Sequence, residues 1–181
     1  MKKLVLFTSM MGLAMLVRAQ SAVFETFKFD IGVGYATPSQ GSTVAGATFT
    51  LQPHYRVSDD FAVGVRIEAA AVFYHTAADD KRGSAIGSGC LTGEYYLSGQ
   101  GFRPFIGAGV GLFDQSAVTV SKESGSDVAL SARVINLGAF PEIGFEAGHF
   151  RFSLDYDYTG GYTDYFSAKI GAFFGGGKRN K

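Results

Sequence analysis

Apolar and polar residues alternate along most of this chain. Between residues 150 and 158 the sequence reads FRFSLDYDY, with large apolar or aromatic residues at the even positions and polar or charged residues at the odd positions. Successive side chains of a β-strand point to opposite faces, so this stretch predicts a strand with one apolar and one polar face. Seven other stretches repeat the pattern, and the eight predicted strands cover residues 26–36, 43–57, 61–74, 84–97, 102–113, 130–147, 150–158 and 162–174.

The connections between the predicted strands alternate in length. Longer polar loops follow the first, third, fifth and seventh strands, whereas tight turns such as 58–60 and 148–149 follow the others. Short turns at one end and longer loops at the other are typical of transmembrane barrels. We therefore predict an all-β fold, an eight-stranded antiparallel up-and-down transmembrane β-barrel formed by residues 20–174.

The first 19 residues have the features of a secretory signal peptide. Positive charge at residues 1–3 precedes an apolar, uncharged run at residues 4–17, and Val17-Arg18-Ala19 supplies the small residues of a cleavage site. The run is too short for a membrane helix, although an uncleaved anchor is the alternative. These features predict an outer-membrane location, with residues 175–181 as a polar periplasmic tail.

The polar face of the strands indicates which side looks inward. This face is rich in glycine and small residues, as a narrow interior requires. The alternative is a soluble barrel of the lipocalin type, in which the polar face would be the solvated outer face and would be dense in Lys and Glu. An eight-stranded barrel is only about wide enough for its own side chains, and unpaired charge there is costly. We therefore expect a filled, ion-paired interior rather than an open pore. Its predicted charge network comprises Lys28, Asp30, Arg56, Arg66, Glu68, Glu94, Arg103, Glu142, Glu146, Arg151, Asp155, Asp157 and Lys169.

Aromatic residues of the apolar face gather toward the strand ends, as in the interfacial girdles of membrane barrels. The predicted inner girdle comprises Tyr55, Phe61, Tyr95, Phe102, Phe145 and Phe150, and the outer girdle comprises Tyr35, Phe73, Tyr158 and Tyr162.

Charge and cysteine content exclude several classes of function. The whole chain has 16 basic and 16 acidic residues, and removal of the three basic residues of the leader leaves 13 against 16, a net charge of −3. The sequence has no cluster of basic residues of the kind that would predict a nucleic-acid partner. The lone cysteine, Cys90, is expected to be a small buried residue.

Candidate chemical sites are few. No phosphate-binding loop, zinc spacing or calcium loop occurs, so we predict no cofactor and no metal. His54 falls on the lumen face and His149 in a turn, whereas His75 lies at the outer mouth near Asp79 and Asp80. A base with an orienting carboxylate could sit at that mouth. No positioned nucleophile accompanies His75, and we predict that the protein is not an enzyme.

The sequence resembles the small bacterial outer-membrane β-barrel family, the OmpA/OmpX-type barrels. The resemblance covers the mature chain and is carried by the leader, the eight alternating strands, the run PEIGFE at 141–146 and the closing segment at 165–177. It implies contact with outer-membrane lipid and insertion by the barrel-assembly machinery, which in many members reads a last strand ending in an aromatic residue, here Phe174. Family members have varied roles, so the resemblance does not name a task.

Two classes of function remain open. The first is a structural or surface-interaction role, in which the external loops 76–83 and 114–127, including Lys81, Arg82 and residues 121–127, would meet an extracellular partner. The second is a transport or binding barrel for a small solute or lipid.

Overall fold

A computed structural model describes residues 24–39, 42–43, 46–75, 81–98, 101–120, 128–130, 133–161 and 163–177. The predicted signal peptide and residues 178–181 of the predicted tail lie outside these ranges. Eight long strands form the wall of a closed barrel: β1 (Phe27–Pro38), β2 (Gly46–Arg56), β3 (Phe61–His75), β4 (Lys81–Tyr96), β5 (Phe102–Val120), β6 (Val134–Ala147), β7 (Phe150–Asp157) and β8 (Tyr165–Gly175). Among the residues described, no helix is long and apolar enough to cross a membrane.

Every strand of the wall pairs antiparallel with its sequence neighbours, and β8 pairs with β1 to close the ring. The closing ladder runs from Lys28 opposite Gly175 to Pro38 opposite Tyr165. Closure leaves no open sheet edge around the wall, which is the condition for strands to span a membrane. The predicted eight-stranded, up-and-down antiparallel barrel is therefore confirmed.

The tight turns lie at the end of the barrel where β1 begins and β8 ends. At the β6–β7 turn Gly148 has a φ of 61°, a left-handed conformation that favours glycine. At the β2–β3 turn the Ser58 hydroxyl accepts hydrogen bonds from the backbone N–H groups of Asp60 and Phe61, at 3.4 and 3.0 Å. We call this end of the barrel the inner end and the opposite end the outer end.

Several strand boundaries differ from those predicted. β4 begins at Lys81 and β5 continues to Val120, so parts of both predicted loops, 76–83 and 114–127, are strand. These segments pair with each other beyond the apolar part of the wall, where backbone pairing does not require apolar alternation. β6 begins at Val134, and the predicted start at residue 130 belongs to a separate short strand, Val128–Leu130, that pairs with β5.

The apolar face of the strands lies outside. Most large hydrophobic residues of this face have 36% to 69% of their surface exposed, as for Val110 at 50% and Leu137 at 69%. The girdle aromatics other than Phe145 are also exposed, and Tyr162 lies outside the described residues. At the inner end Phe145 contacts Phe102 and Phe152, with ring centroids 4.9 and 5.5 Å apart. A water-facing surface of this kind would aggregate, so the wall is suited to lipid.

Glycine permits close approach of two strands at one point of the wall. A Cβ added to Gly111 would lie 2.1 Å from the carbonyl oxygen of Gly89 and 2.5 Å from the Cα of Cys90, both backbone atoms that cannot move away locally.

We expect Gly111→Ala to destabilise the barrel by about 1 to 3 kcal/mol, because it overpacks the β4–β5 contact. The measurement is the urea midpoint of the refolded protein in detergent micelles. Gly87→Ala is the matched control, since a Cβ there has no neighbour within 4 Å. Equal midpoints for the two variants would contradict the packing argument.

Candidate functional site in the barrel interior

The interior of the barrel is filled by two groups of charged side chains, one above the other. The structure places all thirteen residues of the predicted charge network inside, each with at most 6% of its surface exposed. Their positions follow from the two-residue period of the strands, which sends every second side chain inward. We call the two groups the inner cluster and the outer cluster. The inner cluster comprises Lys28, Asp30, His54, Arg56, Glu94, Arg103, Glu142, Glu146 and Arg151, and the outer cluster comprises Arg66, Glu68, Asp155, Asp157 and Lys169.

Arg151 is the centre of the inner cluster. Its guanidinium nitrogens lie 2.6 Å from Glu94, 3.1 Å from Glu142 and 3.0 Å from Glu146, with Asp30 at 3.7 Å. The side chains come from four different strands, so the ion pairs connect opposite sides of the wall. Such bidentate and shared contacts suit the planar fork of arginine.

Lys28 forms the second node of the inner cluster. Its ammonium pairs with Asp30 at 3.1 Å and with Glu146, and it donates a hydrogen bond of 2.8 Å to the Tyr96 hydroxyl. Tyr96 in turn donates to Glu94 at 2.7 Å. His54 lies with its Nε2 2.9 Å from Asp30. Four cations, Lys28, Arg56, Arg103 and Arg151, therefore meet four carboxylates, Asp30, Glu94, Glu142 and Glu146.

The outer cluster is built around Glu68. Lys169 pairs with this carboxylate, while the hydroxyls of Tyr165 and Thr50 donate to it at 2.6 and 2.8 Å. Lys169 also contacts Asp155 at 3.0 Å.

Arg66 completes the outer cluster. It pairs with Asp157, donates to Asp155 at 3.3 Å and lies over the Phe140 ring, 3.3 Å from its centroid. Two cations, Arg66 and Lys169, thus face three carboxylates, Glu68, Asp155 and Asp157.

Little space remains between the clusters. A cavity of about 20 Å³ lies there, lined by residues that include Asp30, Gln52, Arg151 and Lys169. That volume holds about one water molecule. A sugar or an amino acid does not fit in it.

The interior is also closed toward both ends. At the outer end Phe113, Phe140 and Ile86 form a buried apolar layer with Tyr165. The segment between β7 and β8 folds inward above this layer, and Thr163 contacts Ser84 at 3.0 Å. This inward fold is why β8 begins at Tyr165 and not at the predicted residue 162.

At the inner end the chain before β1 folds across the opening. Phe24 is buried there, and its ring lies 4.9 and 4.2 Å from the guanidinium carbons of Arg56 and Arg103. The centroid of the Tyr96 ring lies 4.8 and 4.2 Å from the guanidinium carbons of the same two arginines. Stacking on aromatic faces stabilises a buried guanidinium that has few hydrogen bonds.

Solved structures with the same architecture are membrane barrels. The crystal structure of Ail, the attachment invasion locus protein of Yersinia pestis, in complex with the heparin analogue sucrose octasulfate matches at a TM-score of 0.58 and 14% identity, covering 82% of this chain and 99% of Ail. Neisserial surface protein A matches at a TM-score of 0.52 and 17% identity, covering 81% of this chain and 94% of that one. No protein-family profile and no curated protein sequence matches the chain.

The chain has the fold of the small outer-membrane β-barrels. The apolar outer wall and the charged interior agree with this fold, because only a lipid environment suits a barrel with its polar groups inside and its apolar groups outside. The protein is accordingly an outer-membrane barrel, as the sequence predicted.

The three carboxylates of the outer cluster are the one group among the described residues with a spacing that could suit a metal ion. Oxygen atoms of Glu68, Asp155 and Asp157 lie within 4.8 Å of one another. Lys169 and Arg66 are already bound to them, so a divalent cation would meet two positive charges at once. This part of the outer-membrane barrel is better described as an ion-pair network than as a metal centre.

The three histidines occupy different environments in the barrel. His54 belongs to the inner cluster. His149 lies in the β6–β7 turn, where its Nδ1 is 3.0 Å from the carbonyl oxygen of Phe173. The backbone of His75 ends β3, but its side chain and residues 79 and 80 lie outside the described part of the chain, so the proposed base at the outer mouth stays untested.

The predicted interior network named only charged residues and left out the aromatic and hydroxyl residues that complete the interior. Phe105, Phe113 and Phe140 occupy the alternate positions that otherwise carry the inward-facing polar residues of their strands. Their position in this alternation was the signal that could have placed them inside. Phe24 and Thr163 lie outside the regular strands, where no two-residue period indicates a direction.

Proposed function

We propose that this outer-membrane barrel has a structural or surface-interaction role and presents its outer end to an external partner. The observation that carries the proposal is the interior, in which thirteen charged side chains are packed and paired between closed ends. A solute would have to break several buried ion pairs to pass, and each broken pair would leave uncompensated charge. A rigid, filled barrel is instead a stable platform for the segments above it.

The shape of the outer end supports an interaction role. β3, β4 and β5 have 15, 16 and 19 residues, compared with 12, 8 and 11 for β1, β7 and β8. At the outer end, the ladder between β3 and β4 continues beyond the level at which β2 begins, up to His75 opposite Lys81. The outer part of β5 also pairs with the short strand Val128–Leu130. We call this projecting part, residues 72–75, 81–84, 116–120 and 128–130, the upper sheet. It holds the chain on either side of residues 76–80 and 121–127 in a fixed position.

The first test is conduction. We expect purified barrel in proteoliposomes to give no swelling with small sugars or amino acids beyond that of protein-free liposomes, and no large stable conductance in planar bilayers. Correct folding in the same samples is verified by the different gel mobility of unboiled and boiled protein. Sustained swelling would favour the alternative, a transport barrel.

The second test concerns the upper sheet. In the shortened chain, residues 118–130 are replaced by Asn-Gly, a two-residue hairpin turn. Cells that display the wild-type chain, the shortened chain or the Gly87→Ala variant are compared for adhesion to surfaces coated with heparin or with matrix proteins. Heparin is included because the Ail crystal contains a heparin analogue. We expect the shortened chain to insert normally but to lose adhesion, whereas Gly87→Ala, which changes only the lipid-facing wall, retains it. Equal adhesion of all three chains would contradict the interaction role.

A further inference from the structure

All four prolines of the chain lie in strands of the wall, and two of them, Pro53 and Pro141, coincide with an interruption of a backbone ladder. Proline has no N–H group, so in a sheet it removes one hydrogen bond of the ladder. Pro53 of β2 interrupts the ladder with β3, which stops at Leu51 opposite Ile67 and resumes at His54 opposite Gly64. Pro141 of β6 has the same effect on the ladder with β7.

The interruption at Pro141 can be located from the neighbouring hydrogen bonds. Ala139 and Tyr158 exchange both backbone hydrogen bonds, each 2.9 Å long. Hydrogen-bonded pairs recur every second residue in an antiparallel ladder, so Pro141 stands opposite Tyr156 at the next such position. Pro141 cannot donate there, and the regular ladder begins again only at Glu142 opposite Asp155. The ladder between β6 and β7 is therefore interrupted near the outer end of β7.

An apolar groove of about 440 Å³ lies over this interruption. Its aromatic sides are Tyr35, Tyr156 and Phe166, with the rings of Tyr156 and Phe166 centred 4.5 Å apart. Ile143 and Leu154 continue the apolar surface, and Ala168 contributes only a methyl group. A groove of this size is within the range of specific ligand pockets.

We propose that this groove binds one acyl chain of a membrane lipid. It is continuous with the lipid-facing wall, so hydrocarbon is the medium that reaches it. Its polar lining residues are Thr37 and the buried Glu142, Asp155 and Ser167, whose side chains bind partners in the interior. The rest of the lining is apolar or aromatic, which suits a chain without hydrogen-bonding groups. The groove lies toward the outer ends of β1, β7 and β8, where Tyr35, half exposed, can place its hydroxyl at the level of the lipid head groups. The site thus takes a lipid of the outer leaflet.

The sequence contains no tryptophan, so a single introduced tryptophan reports on the groove alone. Phe166→Trp places the probe in the groove wall, and Phe174→Trp places it on the same strand outside the groove. The refolded proteins are titrated in detergent micelles with a phosphatidylethanolamine that carries brominated acyl chains. We expect quenching of the groove tryptophan to saturate near one lipid per barrel, while the control tryptophan is quenched in proportion to lipid without saturating. Identical quenching curves at the two positions would overturn the proposal.

A second pair of variants tests the shape of the groove. Ala168→Leu, made in the Phe166→Trp protein, fills the groove, whereas Ala172→Leu adds the same bulk to the exposed outer face of the same strand. We expect Ala168→Leu to abolish the saturable quenching and Ala172→Leu to leave it unchanged. Saturable quenching that survives Ala168→Leu would also overturn the proposal. These results are independent of conduction and adhesion, so failure here does not bear on the proposed surface role.

Discussion

Replacement of Arg151 by alanine is expected to destabilise the barrel by about 3 to 5 kcal/mol, the usual effect of removing one partner of a buried charge pair. Arg151 contacts four carboxylates and lies over the Phe105 ring, 4.0 Å from its centroid. Without it, Glu94 and Glu142 lose their closest cation and stay buried. The loss therefore exceeds that of one hydrogen bond, because several negative charges become uncompensated together.

The measurement is the free energy of unfolding in urea of the barrel in lipid vesicles. The gel mobility of unboiled samples monitors the unfolding. Arg133→Ala is the matched control, because Arg133 forms an exposed pair with Asp114 and solvent screens such pairs. We expect the control to unfold at the wild-type midpoint. Arg151→Lys should lie between the two, since a single ammonium cannot bind several carboxylates in the same geometry. The ion-pair account fails if Arg151→Ala and Arg133→Ala unfold alike.

Replacement of Val110 by arginine is expected to destabilise the inserted barrel by about 2 to 4 kcal/mol, the cost of a cation that faces lipid near the bilayer midplane. Val110 lies in the middle of β5 and half of its surface is exposed on the outer wall. The new charge cannot reach an interior partner, because its side chain points away from the lumen. Its desolvation is therefore not offset by any ion pair.

Leu97→Arg provides the comparison, since Leu97 is equally apolar and exposed but lies next to the inner turn. Near the interface the same substitution costs about 0 to 1 kcal/mol. Unfolding of both variants from vesicles in urea gives the difference directly. A barrel whose outer wall faced water would tolerate both arginines equally, and that outcome would reverse the orientation of the two faces.

The alternation of side chains was sufficient to predict the number of strands and the inward direction of the thirteen charged residues. Direction is a local property, because the two-residue period of a strand determines it. The partners of each charge could not be predicted in the same way. Glu94 and Arg151 meet across the lumen from strands that are not neighbours, and their contact depends on the stagger of all eight strands around the ring.

The ends of the barrel were less predictable than its wall for a related reason. Phe24 closes the inner end and Thr163 helps to close the outer end, and both lie in irregular backbone. Where the chain leaves the strand conformation, neighbouring residues no longer alternate between two faces. Similarly, Lys81 and Val120 belong to strands of the upper sheet, which pair with each other beyond the apolar wall. A strand there does not need apolar residues on one face, so a polar composition does not distinguish it from a loop.

The ladder between β1 and β8 has a consequence for biogenesis. It joins residues near opposite ends of the chain, such as Lys28 and Gly175, so the ring cannot be completed until the last strand has been synthesised. A nascent or prematurely terminated chain would carry two unsatisfied strand edges into the bilayer, where lipid provides no hydrogen-bonding partner. Stable insertion therefore requires all eight strands, and closure of the ring depends on the strand that is synthesised last.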